Sequence, residues 1–157
     1  MGDMRKVLLV EDSPMDAELI LEGFTQLRLA NDVVHVRDGV EALEYLRRQG
    51  QYEHRDPGDP VVVLLDIKMP RLDGIETLTE IRADAALRYL RVVMLTSSTQ
   101  DDDILRSYQL GTDAFVVKPV RYKQFMEAVK AIGLFWAIVN ETPPLALHDG
   151  IQSEGRV

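Results

Sequence analysis

Short apolar segments alternate with amphipathic segments along most of this chain. Five of the apolar segments are rich in β-branched residues and have the length of strands, while the stretches between them carry apolar residues at helical spacing. We therefore predict strands at Val7–Val10, Asp32–Val36, Val61–Leu65, Arg91–Leu95 and Ala114–Val117. Because strands that alternate with helices form parallel sheets covered on both faces, the pattern predicts an α/β fold.

The predicted helices begin at residues that commonly start helices. Ser13-Pro14 offers an N-cap and a proline at the first helical position, and Leu19, Ile20 and Phe24 then recur at helical spacing. The second and third helices open at Asp38-Gly39 and Asp73-Gly74, where the aspartates have the character of caps. A fourth helix is predicted from about Asp101 to Leu110, and a fifth from Arg121 to about Val139.

Two segments lack helical or strand periodicity. Gln51–Pro60 is polar, contains two prolines and a glycine, and is predicted to be a long surface loop. Asn140–Val157 contains Pro143-Pro144 and two glycines without a repeating apolar pattern. We therefore predict one domain over residues 1–139 and a C-terminal tail over 140–157, which leaves no room for a DNA-binding effector domain.

Composition narrows the function classes. The 157 residues are 46% apolar and 28% charged, which is typical of one globular domain, and cysteine is absent, which excludes disulfides and thiol chemistry. A net charge of −8 opposes binding to a phosphate backbone. No apolar run approaches the roughly 18 to 20 residues of a membrane span, and no signal peptide is recognisable. We expect a soluble cytoplasmic protein that binds neither nucleic acid nor membranes.

Candidate site residues follow the predicted strands. They are Glu11 and Asp12 after the first strand, Asp66 at the end of the third, Thr96 at the end of the fourth and Lys118 after the fifth. Because loops at the carboxyl ends of parallel strands line the ligand crevice, these residues are expected to converge. Carboxylates about 4 Å apart repel by about 4 kcal/mol at an effective dielectric near 20, so their pKa values rise or a cation lies among them. Oxygen ligands favour a hard ion such as Mg²⁺.

This combination suits a dianion held between a metal ion and an ammonium group, and a phosphoryl group is such a dianion. Asp66 can act as the nucleophile that forms an acyl phosphate, with positioning and charge neutralisation supplying most of the rate. The hydroxyl of Thr96 can donate to one phosphoryl oxygen, and Lys118 can pair with another. No side chain in the set has the character of a general base for an external substrate.

Four motifs resemble those of response-regulator receiver domains over roughly Arg5 to Val139: VLLVEDS, VVVLLDIKMPRLDG, VVMLTSS and AFVVKPV. The resemblance implies a flavodoxin-like, doubly wound sheet of five parallel strands in the order 2-1-3-4-5, with helices on both faces. It also implies a signalling protein, not an enzyme with an external substrate, that accepts a phosphoryl group from a sensor histidine kinase. Such a protein assists its own phosphorylation and dephosphorylation.

The resemblance assigns roles residue by residue. Asp66 is the implied phosphoacceptor and Lys118 the implied phosphate partner. The implied Mg²⁺ ligands are Asp12, Asp66 and the backbone carbonyl of Lys68, with Glu11 placing the metal through water. Thr96 and Phe115 form the implied switch pair, with phenylalanine where many members carry tyrosine. The 51–60 loop, the Ala83–Ser98 stretch and the IGLFW segment are similar to those of small response regulators paired with bacterial phytochrome kinases.

Four other functions fit the same residues less well. A haloacid-type phosphatase needs DxD after its first strand, where this chain has Glu11-Asp12-Ser13, and a topoisomerase-primase-like nuclease needs DxD where Asp66-Ile67-Lys68 lies. A flavodoxin-like flavin carrier needs hydroxyls and glycines in place of the first acidic pair. A degenerate receiver that acts only as a scaffold is disfavoured by the complete residue set.

The predicted fifth helix carries a second interface signal. From Ala131 to Val139 nearly every residue is apolar, so both sides of that segment need to be covered. One explanation is that the tail, around Pro143–Leu147, folds back over it. We favour a homodimer with Leu134, Phe135 and Ile138 in the interface. The three histidines, His35, His54 and His148, have no mutual spacing and are predicted to be structural or surface residues.

Overall fold

The computed structural model describes residues 6–26, 32–96, 106–118 and 120–131, and these form an α/β layer structure. Its five strands are β1 (Val7–Val10), β2 (Val33–Val36), β3 (Val62–Asp66), β4 (Val92–Thr96) and β5 (Ala114–Val117). All neighbouring strands pair in parallel, and their order across the sheet is β2-β1-β3-β4-β5. The predicted fold and strand order are confirmed.

Two strands lie one residue further along the chain than the sequence predicted. Asp66 and Thr96 belong to β3 and β4 because their backbones continue the parallel ladders, Asp66 opposite Leu95 and Thr96 opposite Val117. Backbone pairing does not depend on side-chain polarity, whereas the sequence pattern follows only the apolar run. The candidate polar side chains are therefore held by the sheet itself, at its carboxyl edge.

The helices are α1 (Pro14–Gln26), α2 (Gly39–Arg47), α3 (Gly74–Ala83), α4 (helical at 106–109) and α5 (Tyr122–Ala131). The predicted caps hold for α2 and α3. The Asp38 side chain accepts from the Glu41 backbone N–H, and Asp73 forms a capping box with Glu76. The predicted 51–60 loop opens with a 3₁₀ turn at Gly50–Tyr52 that packs on α2.

A buried apolar layer lies on each face of the sheet. On one face, residues of α2 and α3 such as Leu46 and Leu78 pack against alternate strand residues. On the other, α1 and α5 meet, with the rings of Phe24 and Phe125 4.9 Å apart between their centroids. Every residue of β1, β3 and β4 is buried, as expected of strands covered on both faces.

Several predictions concern residues outside the described part of the chain. They include most of the predicted fourth helix, the tail at 140–157, His148 and the proposed interface residues Leu134, Phe135 and Ile138. The domain boundaries at 139 and 140 also stay predictions. Among the described helices, none has the length and apolar character needed to cross a bilayer.

Candidate functional site

Three carboxylates meet at the carboxyl edge of the sheet. Glu11 and Asp12 follow β1, and Asp66 ends the adjacent β3, so the parallel pairing of these strands brings them together. Each offers an oxygen, and these three oxygens all lie within 4.8 Å of one another. Glu11 is fully buried and Asp66 is 3% exposed. This spacing and burial suit the shared coordination of one cation.

Lys118 places its ammonium group against the same carboxylates. Its Nζ lies 2.9 Å from Glu11 Oε1 and 3.2 Å from Asp66 Oδ2, although 107 sequence positions separate Glu11 from Lys118. The Lys118 backbone N–H donates to the carbonyl of Thr96 at 2.7 Å, which fixes the start of this side chain next to the end of β4. The side chain is 11% exposed, so the ion pairs are largely shielded from water.

The burial of Glu11 is balanced by hydrogen bonds to both of its carboxylate oxygens. Oε1 accepts from Lys118, and Oε2 accepts from the backbone N–H of Ser13 at 3.1 Å. On the far side, Nε2 of His35 lies 2.8 Å from the Glu11 backbone carbonyl. His54 is exposed beside Glu53, so the two described histidines lie in structural and surface positions.

The electrostatics of the site are dominated by burial and by the crowded charges. Burial, together with the neighbouring Glu11, raises the pKa of Asp66 to about 7, although Lys118 opposes the rise. Burial alone would lower the pKa of Lys118, but hydrogen bonds to Glu11 and Asp16 and the charge of Asp66 raise it above its ordinary value. Both pKa values are raised because negative charge exceeds positive charge at this site.

The remaining predicted residues lie on the neighbouring strands and on the loop after β3. Thr96 is 5% exposed at the end of β4. Phe115, on β5, pairs in register with Met94 and is half-buried, and its ring contacts Tyr108 with centroids 5.0 Å apart. Lys68 lies two residues beyond Asp66, in the exposed loop between β3 and α3.

That loop turns back sharply on the backbone of Asp66. The Gly74 N–H donates to the Ile67 carbonyl at 2.8 Å. A Cβ at Gly74 would lie 2.2 Å from the Asp66 carbonyl oxygen and 2.7 Å from the Cα of Ile67. Only glycine fits here, so the LDG sequence lets α3 start directly against the end of β3.

The donor set fits a hard divalent cation. Three carboxylates with mutually close oxygens, beside one ammonium, carry excess negative charge that Mg²⁺ neutralises in such clusters. Of the residues that the motif resemblance implies as ligands, Asp12 and Asp66 lie in this cluster and would hold the ion together with the Lys68 carbonyl, and Glu11 would act through water.

One site residue was missed by the sequence prediction. Asp16, in the first turn of α1, has its Oδ2 3.1 Å from Lys118 Nζ. The available signal was an acidic residue in the first turn of a helix that begins at the carboxyl edge of the sheet. First-turn acids usually complement the helix dipole, which is why the pattern did not single it out.

The chain matches the family model for the response regulator receiver domain over residues 7–130. It therefore belongs to the response regulator receiver family, whose members are signalling proteins.

Its close structural neighbours include bacteriophytochrome response regulators. The structure of AtBRR is 51% identical with a TM-score of 0.82, covering 89% of this chain and 100% of that one. Response regulator Rcp1 of Synechocystis sp. is 35% identical over 130 residues, 83% of this chain and 87% of its own length. Its Mn²⁺-bound form gives a TM-score of 0.71 at 34% identity, covering 89% and 99%. The phosphorylated cyanobacterial phytochrome response regulator RcpA gives 0.71 at 38% identity, covering 89% and 98%.

Proposed function

We propose that this response regulator accepts a phosphoryl group on Asp66 from a sensor histidine kinase, in a Mg²⁺-dependent reaction, and thereby changes its contacts with other proteins. The observation that carries the proposal is the position of the buried Asp66 carboxylate. One of its oxygens lies within 4.8 Å of oxygens of Glu11 and Asp12, close enough for the three to share one metal ion. Its Oδ2 lies 3.2 Å from Lys118 Nζ. A nucleophile between a cation site and a fixed ammonium suits phosphoryl transfer.

In the proposed transfer, a carboxylate oxygen of Asp66 bonds to phosphorus while the bond from phosphorus to the histidine nitrogen of the donor breaks. The electrons of that bond return to the imidazole, and the product is an acyl phosphate on Asp66. Lys118 then donates to a phosphoryl oxygen, and the hydroxyl of Thr96 donates to another. Bound Mg²⁺ would supply neutralisation of the phosphoryl charge.

The proposed switch links the phosphoryl group to β5. Thr96 ends β4, and Phe115 lies on the adjacent strand with its ring against Tyr108. As Thr96 moves toward the phosphoryl group, Phe115 turns into the space it leaves, and the surface of α4, β5 and α5 changes shape. A partner or a second subunit reads that surface.

The names of the relatives support a bacteriophytochrome as the kinase. AtBRR is a bacteriophytochrome response regulator, and RcpA is a phytochrome response regulator whose structure is phosphorylated. Their similarity extends across most of both chains. A photosensory histidine kinase that phosphorylates this chain in a light-dependent manner is the expected partner.

We further propose a homodimer through Leu134, Phe135 and Ile138. The support is the nearly continuous apolar sequence from Ala131 to Val139, which needs cover on both sides. Sedimentation at high protein concentration, with and without a phosphoryl mimic, tests it. A strictly monomeric profile in both conditions would contradict the proposed dimer.

The central test is labelling by a small phosphodonor such as phosphoramidate. The wild-type protein is expected to be labelled with Mg²⁺ and to lose labelling when the metal is chelated. Asp66→Asn should take up no phosphate and keep its fold, since the amide is close in size to the carboxylate. A wild-type protein that stays unlabelled under all donors would favour the scaffold alternative.

A further inference from the structure

Asp16 brings a fourth carboxylate to the site, from a helix that supplies none of the predicted residues. Its Oδ2 accepts a hydrogen bond from Lys118 Nζ at 3.1 Å. The Asp16 side chain is 40% exposed, whereas those of Glu11 and Asp66 are buried. Asp16 is thus the most solvent-exposed partner of Lys118, and we infer the importance of this ion pair from where it directs the ammonium group.

The hydrogen bonds of Lys118 fill the capacity of its ammonium group. An ammonium has three N–H donors, and Nζ lies within hydrogen-bond distance of Glu11, Asp16 and Asp66. When Asp66 carries a phosphoryl group, the donor that faces Asp66 is the one placed to meet a phosphoryl oxygen. Glu11 and Asp16 can keep the other two donors throughout the reaction.

Ser13 forms hydrogen bonds with both of these anchor residues. The Ser13 backbone N–H donates to Glu11 Oε2 at 3.1 Å, and the Ser13 hydroxyl accepts from the Asp16 backbone N–H at 3.2 Å. Ser13 thus ties the carboxylate at the end of β1 to the first turn of α1. The two anchors approach Lys118 from β1 and from α1, which restricts rotation of the ammonium more than either does alone.

We propose that Asp16 is a positioning residue, which with Glu11 occupies two donors of Lys118 and leaves the third aimed at the phosphoryl oxygen. The inference rests on the proposed phosphorylation of Asp66. Asp16 acts as a hydrogen-bond acceptor here, so an amide oxygen at the same place should serve nearly as well as a carboxylate.

The test compares three variants in labelling by phosphoramidate with saturating Mg²⁺. Asp16→Ala, which removes the acceptor, is expected to lower the initial rate about 5- to 10-fold. Asp16→Asn, which keeps an acceptor, should stay within about twofold of wild type. Glu22→Ala, an exposed carboxylate on the same helix, is the matched control and should label like wild type. Thermal unfolding of each variant verifies that α1 is intact.

Two labelling results would overturn the proposal. The first is an Asp16→Ala variant that labels at the wild-type rate. The second is an Asp16→Asn variant whose rate changes as much as that of Asp16→Ala, in either direction. The second result would mean that the charge of Asp16, and not its position as an acceptor, is the cause. If the wild-type protein itself is never labelled, the proposed function fails instead. The two failures are therefore distinguishable.

A second measurement reports on the anchor without any phosphoryl donor. In ¹⁵N-labelled protein, the Lys118 ammonium should give a slowly exchanging proton signal, assigned by its loss in Lys118→Arg. Asp16→Ala should speed that exchange several-fold, while Asp16→Asn and Glu22→Ala should not. Equal exchange in Asp16→Ala and wild type would overturn the anchoring role.

Discussion

Arg71 and Asp38 form a two-pronged ion pair that joins the loop after β3 to the N-cap of α2. Arg71 Nε lies 2.7 Å from Asp38 Oδ2, and its Nη2 lies 3.0 Å from Oδ1. Arg71 adopts a left-handed backbone with φ of 65°, and the next carbonyl, of Leu72, accepts from the Gly39 N–H at 3.1 Å. The loop that carries Lys68 is therefore held to the start of α2 by the side chain of Arg71 and by the backbone of Leu72.

We predict that Arg71→Gly weakens Mg²⁺ binding by several-fold and leaves overall stability nearly unchanged. Glycine adopts the left-handed backbone more easily than arginine, which offsets the loss of a half-exposed ion pair. The loop loses its side-chain tie, so the carbonyl of Lys68 is less firmly placed. Calorimetric titration with Mg²⁺ measures the affinity, and Arg37→Ala, an exposed arginine before α2, is the control. Unchanged affinity in Arg71→Gly would show that the ion pair does not support the metal site.

The Arg71 pair also predicts a pH dependence of stability. Burial alone would raise the pKa of Asp38, but hydrogen bonds from Arg71 and from the Glu41 backbone lower it below its ordinary value of 3.8. A carboxyl group with a lowered folded-state pKa adds stability above its unfolded pKa and loses it as the pH falls through the folded value.

Asp38→Asn, which keeps the helix cap, should therefore lower the free energy of unfolding at pH 7 by about 1 kcal/mol. The difference from wild type should shrink as the pH falls below about 4, where Asp38 is protonated first in the unfolded chain and then, at lower pH, in the folded protein. Urea unfolding at several pH values measures both. A difference that stays constant from pH 7 down to pH 3 would argue against the ionised pair.

Gly74→Ala is expected to lower the free energy of unfolding by about 3 kcal/mol. Its Cβ would lie 2.2 Å from the Asp66 carbonyl oxygen, so either β3 or α3 has to shift. Gly23→Ala is the matched control, because a Cβ there meets nothing within 4 Å and alanine favours the helix by about 1 kcal/mol. Chemical unfolding should move the two variants in opposite directions. Equal stability of both variants would contradict the close packing at Gly74.

Lys118→Ala should destabilise the metal-free protein by about 3 kcal/mol, because it leaves the fully buried Glu11 without a cation. Added Mg²⁺ should recover part of the loss by neutralising the same carboxylates. Lys123→Ala, an exposed lysine on α5, should behave like wild type. Unfolding curves with and without Mg²⁺ give the comparison. If Lys118→Ala is as stable as wild type without metal, the buried carboxylate of Glu11 does not need the Lys118 ammonium as a partner.

The local sequence pattern predicts the strand bounds to within one residue and the caps of α2 and α3, because both depend on neighbouring residues. Asp38 and Asp73 were expected to cap helices, and both do so. Leu19 shows the limit of periodicity, because it recurs with Ile20 and Phe24 yet is 55% exposed, since only one stripe of α1 can face the sheet.

Contacts that depend on three-dimensional geometry could not be predicted from local patterns. Asp16 reaches Lys118 across 102 positions, and Arg71 reaches Asp38 across 33. Each pair joins the start of a helix to a segment that follows a different strand at the carboxyl edge of the sheet. The directions of the Lys118 and Arg71 side chains depend on how α1 and α2 pack on the sheet. The spacing of residues along the sequence does not predict that packing.

The most direct measurement is the location of the phosphoryl group on the chain. After labelling with phosphoramidate and Mg²⁺, borohydride reduces an acyl phosphate of aspartate to homoserine, which peptide mass spectrometry assigns to a position. The account predicts homoserine at Asp66 in the wild-type protein and none there in Asp66→Asn. Homoserine at Asp12 or Asp16 with Asp66 unmodified, or stable label on a histidine, would contradict it.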